Sequence, residues 1–278
     1  MMDANQVDRA GSIRDMESCR AGARLLRDGF LVGTFIRGVC GIWVDGGNPD
    51  AVERVFQVKG EQRHRRPFGT TLDASAFVQY VNRDQIPAAM HNLLLNEEEL
   101  VGRLGSLCFI RVPIWKEAGD RFPQGLISQT PDGTCWLQNW LPEGSPTTRK
   151  WVEAVKGEAV ELPVATSMNV SGQPELVDAA EGLQFCSEHA IPLFLDDPEK
   201  KEKVRGSFPI IQADREGIKL VREGHFPAAL FRYLLDGWDI DLSQAQPAKF
   251  PVLAVYGEED ARKMSPHQLR EEMINQLD

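Results

Sequence analysis

The sequence predicts an α/β (α+β) fold on a twisted sheet of mixed parallel and antiparallel strands, and three observations predict it. Apolar runs of strand length alternate with segments of helical spacing along the 278 residues. Some neighbouring strand runs have no helix between them, and a strictly parallel sheet would need one. The 42% apolar and 26% charged content suits a chain that buries a substantial core as one large domain, or one domain plus an appendage.

The elements follow in order. Residues 13 to 28 set Ile13, Met16, Ala23, Leu25 and Leu26 among arginines and acids, an amphipathic helix that Gly29 ends. GFLVGTFIRGVCGIWVD is β-rich and predicts a strand, a turn and a second short strand or loop before Gly-Gly-Asn-Pro. Ala51, Val52, Val55 and Val58 recur at helical spacing behind Asn48-Pro49, so a short helix leads into KGEQRHRRP. A strand is expected around 68 to 72, a helix over 74 to 81 and another over 87 to 104. GSLCFIRVPI is a continuous apolar run and reads as a buried strand. Residues 116 to 134, rich in Gly, Pro and Asp, form a loop or a ragged hairpin.

CWLQNWLP is a strand, 145 to 158 a helix, PVATSMNV a strand and 175 to 189 a helix. IPLFLDD is then a strand, DPEKKEKVRGS a charged loop, and FPIIQAD and GIKLVREG two further strands. Beyond about 226, Phe231, Leu234, Leu235 and Trp238 share a helical face, and FPVLAVYG predicts a short strand. SPHQLREEMINQLD is a terminal helix with Ser265 as N-cap and Pro266 in the first turn. The expected division is a lead over 1–17, a main domain over 18–224 and a C-terminal extension over 225–278 that packs on it.

A formal net charge of −10 excludes a surface that is basic all over. Nucleic-acid binding would need a local patch, which residues 59 to 66 offer; RNA remains a possible partner and DNA is not expected. No run approaches the ~18 apolar residues of a transmembrane helix, and the N-terminus has no apolar signal region, so the expected location is cytoplasmic, without a membrane partner. Cys19, Cys40, Cys108, Cys135 and Cys186 are widely spaced without a C-x-x-C pair and read as buried small hydrophobes. The five histidines never fall at metal-ligand spacing, so no protein-built metal site is expected.

The chemistry concentrates in two stretches. In PVATSMNVSGQPE, strand alternation places Ser167, Asn169 and Ser171 on one face, and Gly172 beyond them permits close backbone approach. Such a row is a cradle for phosphate or carboxylate, although a strand ending in a serine-rich turn has the same pattern. In KGEQRHRRP, Lys59, Arg63, Arg65 and Arg66 concentrate positive charge in an acidic chain. Arginine forks bind phosphate, and such a cluster opposite a hydroxyl row makes a nucleotide site; clusters of this kind also stand simply as solvated faces.

Together these stretches resemble one family. VATSMNVSGQP is similar to the Ser-x-Asn-x-Ser-Gly signature of the YrdC-type threonylcarbamoyl-adenylate synthases. GFLVGTFIRGVCGIWVDGGNPDAVERVFQVKG resembles the family's opening strand, its aromatic-Gly-Leu turn and the helix that delivers a Lys-x-Arg loop. GSLCFI resembles its Pro-Gly-Pro-x-Thr strand and LVREG its closing Leu-Arg-x-Gly, so the resemblance runs over about residues 18 to 224.

The resemblance implies a twisted mixed sheet around a concave, positively charged pocket. It implies an enzyme joining L-threonine, bicarbonate and ATP into threonylcarbamoyl-adenylate, with release of pyrophosphate, for tRNA modification; related domains in carbamoyltransferases make carbamoyl-adenylate. Carried onto this chain, Lys59 and Arg63 would be catalytic and neutralise charge on the triphosphate. Ser167, Asn169, Ser171, Arg222 and Ser207 would bind nucleotide or phosphate; Phe35, Ile36 and Cys108 would line the substrate pocket; and Mg2+ would arrive with ATP.

The chain departs from the pattern at named positions. Phe35-Ile36 stands for Pro-Thr, Glu61 for the arginine two after Lys59, Cys108 for the strand threonine, and Trp140 or Gln138 for the arginine of Val-Arg-x-Pro. These departures define the expectation: a divergent adenylate-forming enzyme using threonine or another amine. The alternatives are a nucleotide- or RNA-binding module without catalysis and a scaffold acting through residues 226 to 278.

Overall fold

The computed structural model describes residues 10–60, 68–123, 125–201, 203–253 and 257–278. The chain begins with β1 (Ala10–Ser12), α1 (Met16–Arg27), β2 (Val32–Ile36), β3 (Val39–Asp45), α2 (Pro49–Lys59), β4 (Gly69–Thr70) and α3 (Ala74–Tyr80). It continues with α4 (His91–Leu94), α5 (Glu97–Leu104), β5 (Phe109–Ile114), α6 (Lys116–Gly119), β6 (Ser128–Gln129), β7 (Cys135–Trp140), α7 (Arg149–Gly157) and β8 (Pro163–Ser167). Then come α8 (Ala179–Glu188), β9 (Phe194–Asp196), β10 (Ile210–Asp214), β11 (Gly217–Arg222), α9 (Phe231–Leu234), β12 (Ile240–Asp241), α10 (Glu258–Ala261) and α11 (Pro266–Leu277).

The strands form one sheet in the order β1-β9-β2-β3-β8-β4-β7-β5-β10-β11-β12, with β6 paired to β7. Pairing is mixed: β2/β3, β3/β8 and β5/β7 are antiparallel, while β2/β9, β4/β7 and β5/β10 are parallel. The predicted fold class is therefore the observed one. Alternation along each strand separates two cores. Val39 and Trp43 of β3 join a smaller core under α1 and α7 with Trp140 and Trp151; Cys40, Ile42 and Val44 join a larger core under α2, α3, α5, α8, α9 and α11.

The β2–β3 hairpin turns through Arg37 (φ 47°) and Gly38 (φ 77°), so the expected short second strand or loop is a seven-residue strand. Glycine is required at 38, because a Cβ there would stand 2.0 Å from the Val204 carbonyl oxygen. The helix expected over 87–104 is broken: Asn96 accepts from the Glu98 and Glu99 amides and caps a new helix, α5, while α4 ends at Leu94. β8 stops at Ser167, so the predicted alternation does not reach Asn169 or Ser171. FPVLAVYG forms no strand over 250–253, and residues 254–256 lie outside the described set.

Residues beyond 225 are built into the same body. β12 runs parallel to β11, Arg222 bridges to Gln246, and α11 packs against α5 and α9. Ser265 caps α11 in a capping box with Gln268, as the sequence predicts. At the far end of that helix Asp278 meets Arg37 of the hairpin turn through two hydrogen bonds, from Nε at 2.5 Å and from Nη2 at 2.9 Å. No helix among the described residues is long and apolar enough to cross a membrane.

Candidate functional site

The site is assembled around the end of β8. Asn48 caps α2 with Pro49 in its first turn, and the helix ends at Lys59, where Gly60 (φ 76°) turns the chain away. Lys59 is 1% exposed, so it belongs to a buried network and not to an exposed basic loop. Its ammonium donates to the Ser167 carbonyl at 2.5 Å, to Asn169 Oδ1 at 2.7 Å and to Ser167 Oγ at 3.5 Å. Ser167 Oγ donates in turn to Asn169 Oδ1 at 2.7 Å, and Asn169 Nδ2 donates to the Gln173 carbonyl at 2.7 Å. A lysine, a hydroxyl and an amide, the lysine more than a hundred positions from the other two, thus converge on one point, each held by the next.

Ser171 is placed differently from its expected row. Its amide donates to the Lys59 carbonyl at 2.8 Å, but its hydroxyl is buried and has no hydrogen-bond partner among the described residues. The physical reason is that the chain leaves the sheet after Ser167, and Gly172 takes φ 89°. Arg63 lies outside the described residues.

Ser207 and Arg222 are placed apart from this cluster, where they line a pocket with Glu175, Arg205 and Lys249. Ser207 Oγ donates to Glu175 Oε1 and Lys249 Nζ to Glu175 Oε2, both at 2.7 Å. Burial pushes the Glu175 carboxyl up, but the hydrogen bonds from Lys249 and Ser207 outweigh it and hold the group below the usual carboxylate range. Arg222 Nη2 donates to the Phe208 carbonyl at 2.6 Å, and burial pushes its guanidinium down. The loop that carries Asn169 also carries Glu175, so one segment borders both groups, although no side-chain hydrogen bond joins them among the described residues.

Phe35, Ile36 and Cys108, expected to line the substrate pocket, are buried core residues. Phe35 and Cys108 are packed in the larger core and Ile36 in the smaller one, on the opposite face of the sheet. Adjacent strand residues point to opposite faces, so Phe35 and Ile36 cannot face one ligand. Burial pushes the Cys108 thiol well above its ordinary value, which keeps it a neutral core residue.

Sequence reasoning passed over Arg37, Arg111, Glu175 and Lys249. Arg111 had a signal: it is the single charge inside the apolar run GSLCFIRVPI. Glu175 and Lys249 are 74 positions apart and only the fold joins them.

No protein-family model matches the chain, and no curated protein matches it. Solved structures do. P. abyssi Sua5 complexed with L-threonine is 18% identical with a TM-score of 0.62, over 94% of this chain and 74% of that one. A doubly alanine-substituted form of P. abyssi Sua5 is 19% identical with a TM-score of 0.61, over 83% of this chain. The fold is the YrdC type. This chain spans 64% of the length of the substituted Sua5. HypF in its phosphate- and nucleotide-bound form is 18% identical with a TM-score of 0.55, over 74% of this chain and 28% of its own. E. coli YciO is 14% identical with a TM-score of 0.55, over 77% of this chain and 93% of its own. At these identities the likeness is one of fold.

Proposed function

We propose that this protein is a divergent YrdC-type, adenylate-forming enzyme that binds ATP at the Lys59–Ser167–Asn169 cluster. The observation that carries the proposal is the convergence of these three side chains, brought together from the end of α2 and the end of β8. In the proposed reaction the amine nitrogen bonds to the carbon of bicarbonate, water leaves, and a carbamate results. A carbamate oxygen attacks the α-phosphorus of ATP, the bond to the bridging oxygen of the β-phosphate breaks, and pyrophosphate leaves. Lys59 supplies positive charge toward the triphosphate, Ser167 and Asn169 hold that ammonium in place, and Mg2+ enters as part of the nucleotide substrate. The residues fit a phosphate: a cation, a hydroxyl and an amide stand beside a glycine that adopts a positive φ.

An amino acid is the first class of amine to examine, on the strength of the fold shared with a protein crystallised with L-threonine. The test is pyrophosphate release from ATP and bicarbonate near neutral pH, across a panel of amino acids and simple amines. Release with at least one amine, lost in Lys59→Met, is expected; no release with any of them overturns the enzymatic reading.

A second reading, a nucleotide- or RNA-binding module without catalysis, is favoured by one observation. The positions that stand for the Pro-Thr pair are packed into two cores, and the turn after them is tied to Asp278. It predicts ATP binding with no pyrophosphate release.

A further inference from the structure

The sheet face that bears Ser167 carries a second feature that the proposed site does not use. Register fixes which residues share it: Ala165 of β8 belongs to the smaller core, and Ser167, two residues on, points the same way. On β5, Phe109 packs in that same core, so Arg111 projects on its side, opposite Gln138 of β7 and Gln212 of β10. β11 would turn Arg222 to the other face, because Ile218 and Leu220 are in the larger core. A register shift between Ile210 and Ile211 instead sets Arg222 opposite Ile210 and brings it to the side of Arg111.

Arg111 is a cation in search of an anion. Its Nη2 donates to Gln138 Oε1 at 2.7 Å, its Nε is buried with no hydrogen-bond partner, and no carboxylate among the described residues pairs with it. Burial pushes its guanidinium down, and its positive charge in turn helps push Arg222 down, after burial of Arg222 itself and against the charge of Glu175. Arg222 has the Glu175 carboxylate in its field, whereas Arg111 has no acid of its own among the described residues; a partly desolvated guanidinium without a counter-charge, beside a second one, is unfavourable in the free protein and becomes favourable around an anion. Beside them stand the Phe109 and Phe208 rings, in an edge contact at 6.2 Å.

We propose that Arg111 is a phosphate-binding residue on the Ser167 face of the sheet, extending toward β5 the phosphate role that the family resemblance already gives Arg222; this rests on the nucleotide reading above. Arg111 is then a ligand-binding residue and Gln138 a positioning residue, since Gln138 Oε1 fixes the guanidinium through Nη2 and leaves Nε and Nη1 for the anion. The chemistry is that of a phosphate oxygen, supplied by a nucleotide or by free pyrophosphate.

Calorimetric titration of inorganic pyrophosphate, ATP and adenosine into the full chain separates these cases, with thermal melts run alongside. Arg111→Met is expected to weaken pyrophosphate and ATP about tenfold or more and to leave adenosine unchanged. Without ligand, Arg111→Met is expected to melt at the parent's temperature or above it, because a desolvated, unpaired cation has been removed. Arg111→Lys, which keeps the charge and loses the fork, is expected to bind pyrophosphate with intermediate affinity and carries the test if Arg111→Met does not fold. Unchanged pyrophosphate affinity in the Arg111 variants overturns the subsite, as does a parent protein that binds neither pyrophosphate nor ATP. Loss of ATP binding in Lys59→Met but not in the Arg111 variants removes the subsite and keeps the nucleotide reading. Arg111-dependent pyrophosphate binding without ATP binding does the reverse.

Discussion

Replacing Asp278 by Ala should be strongly destabilising, because it leaves a buried guanidinium without its counter-charge. Arg37 has a fully buried side chain and Asp278 one that is 8% exposed. The carboxylate accepts from Arg37 Nε and Nη2 and from Ser145 Oγ at 3.1 Å, while Arg37 Nη1 donates to the Ser106 carbonyl. Removing one member of such a pair costs about 3–5 kcal/mol, most of it from the orphaned charge. At roughly 2–4 °C per kcal/mol, Asp278→Ala should lower the Tm by roughly 6–20 °C, read by calorimetry or circular dichroism. Arg37→Met combined with Asp278→Leu should recover much of the loss, since neither charge is then stranded. Burial raises the Asp278 carboxyl, but Arg37 overcomes that and holds it below 3.8. The pair's contribution is therefore complete above 3.8 and fades as pH falls through the lower folded-state value. A loss below about 1 kcal/mol in Asp278→Ala, or a double variant no better than the single ones, would refute the reasoning.

Other outcomes follow from the same structure. His225 is buried and pushed down to about 4, first by burial and then by the charge of Arg37, so it folds neutral. Its unfolded value of 6.5 means that stability is intact above 6.5 and declines by about 3 kcal/mol as pH falls from there to 4; His225→Gln should flatten melts compared between about pH 7.5 and 4.5. Gly69→Ala sets a Cβ 2.3 Å from Phe109 Cε1 and should cost about 1–3 kcal/mol in denaturant melts, with little loss expected only if the Phe109 ring swings free. Lys59→Met removes the side-chain donor to the Ser167 carbonyl and one of the two donors to Asn169 Oδ1; about 1–3 kcal/mol of stability and tenfold or more in ATP affinity should go together.

Most of the order of strands and helices was legible in the sequence because apolar alternation and helical spacing report directly on which face is buried, while β1 and β12, three and two residues long, are too short to carry that signal. Ser265 and Pro266 marked the start of α11 for the same local reason: a cap is chemistry between near neighbours. The break at Asn96 was harder, since an apolar pattern on either side of a cap continues as if the helix did. The Ser167 row illustrates the limit within one motif. Spacing placed three polar side chains on one face, but the strand ends at Ser167, and Asn169 reaches the site through a loop locked by Gln173. Lys59 was legible as a charge near the motif, though not as a buried one. Arg37 and Asp278 are 241 positions apart, and Glu175 and Lys249 are 74 apart, so their meeting depends on packing that no local pattern encodes. Phe35, Ile36 and Cys108 show the converse: a residue assigned to a pocket by resemblance can be core, and adjacent strand residues such as Phe35 and Ile36 face opposite sides of a sheet.

The account's central claim is that ATP binds where Lys59, Ser167 and Asn169 meet. A crystal structure of the full chain with ATP and Mg2+ tests it most directly. The account predicts phosphate oxygens within hydrogen-bond distance of Lys59 Nζ and Ser167 Oγ; a nucleotide bound elsewhere, or none bound at millimolar ATP, would contradict it.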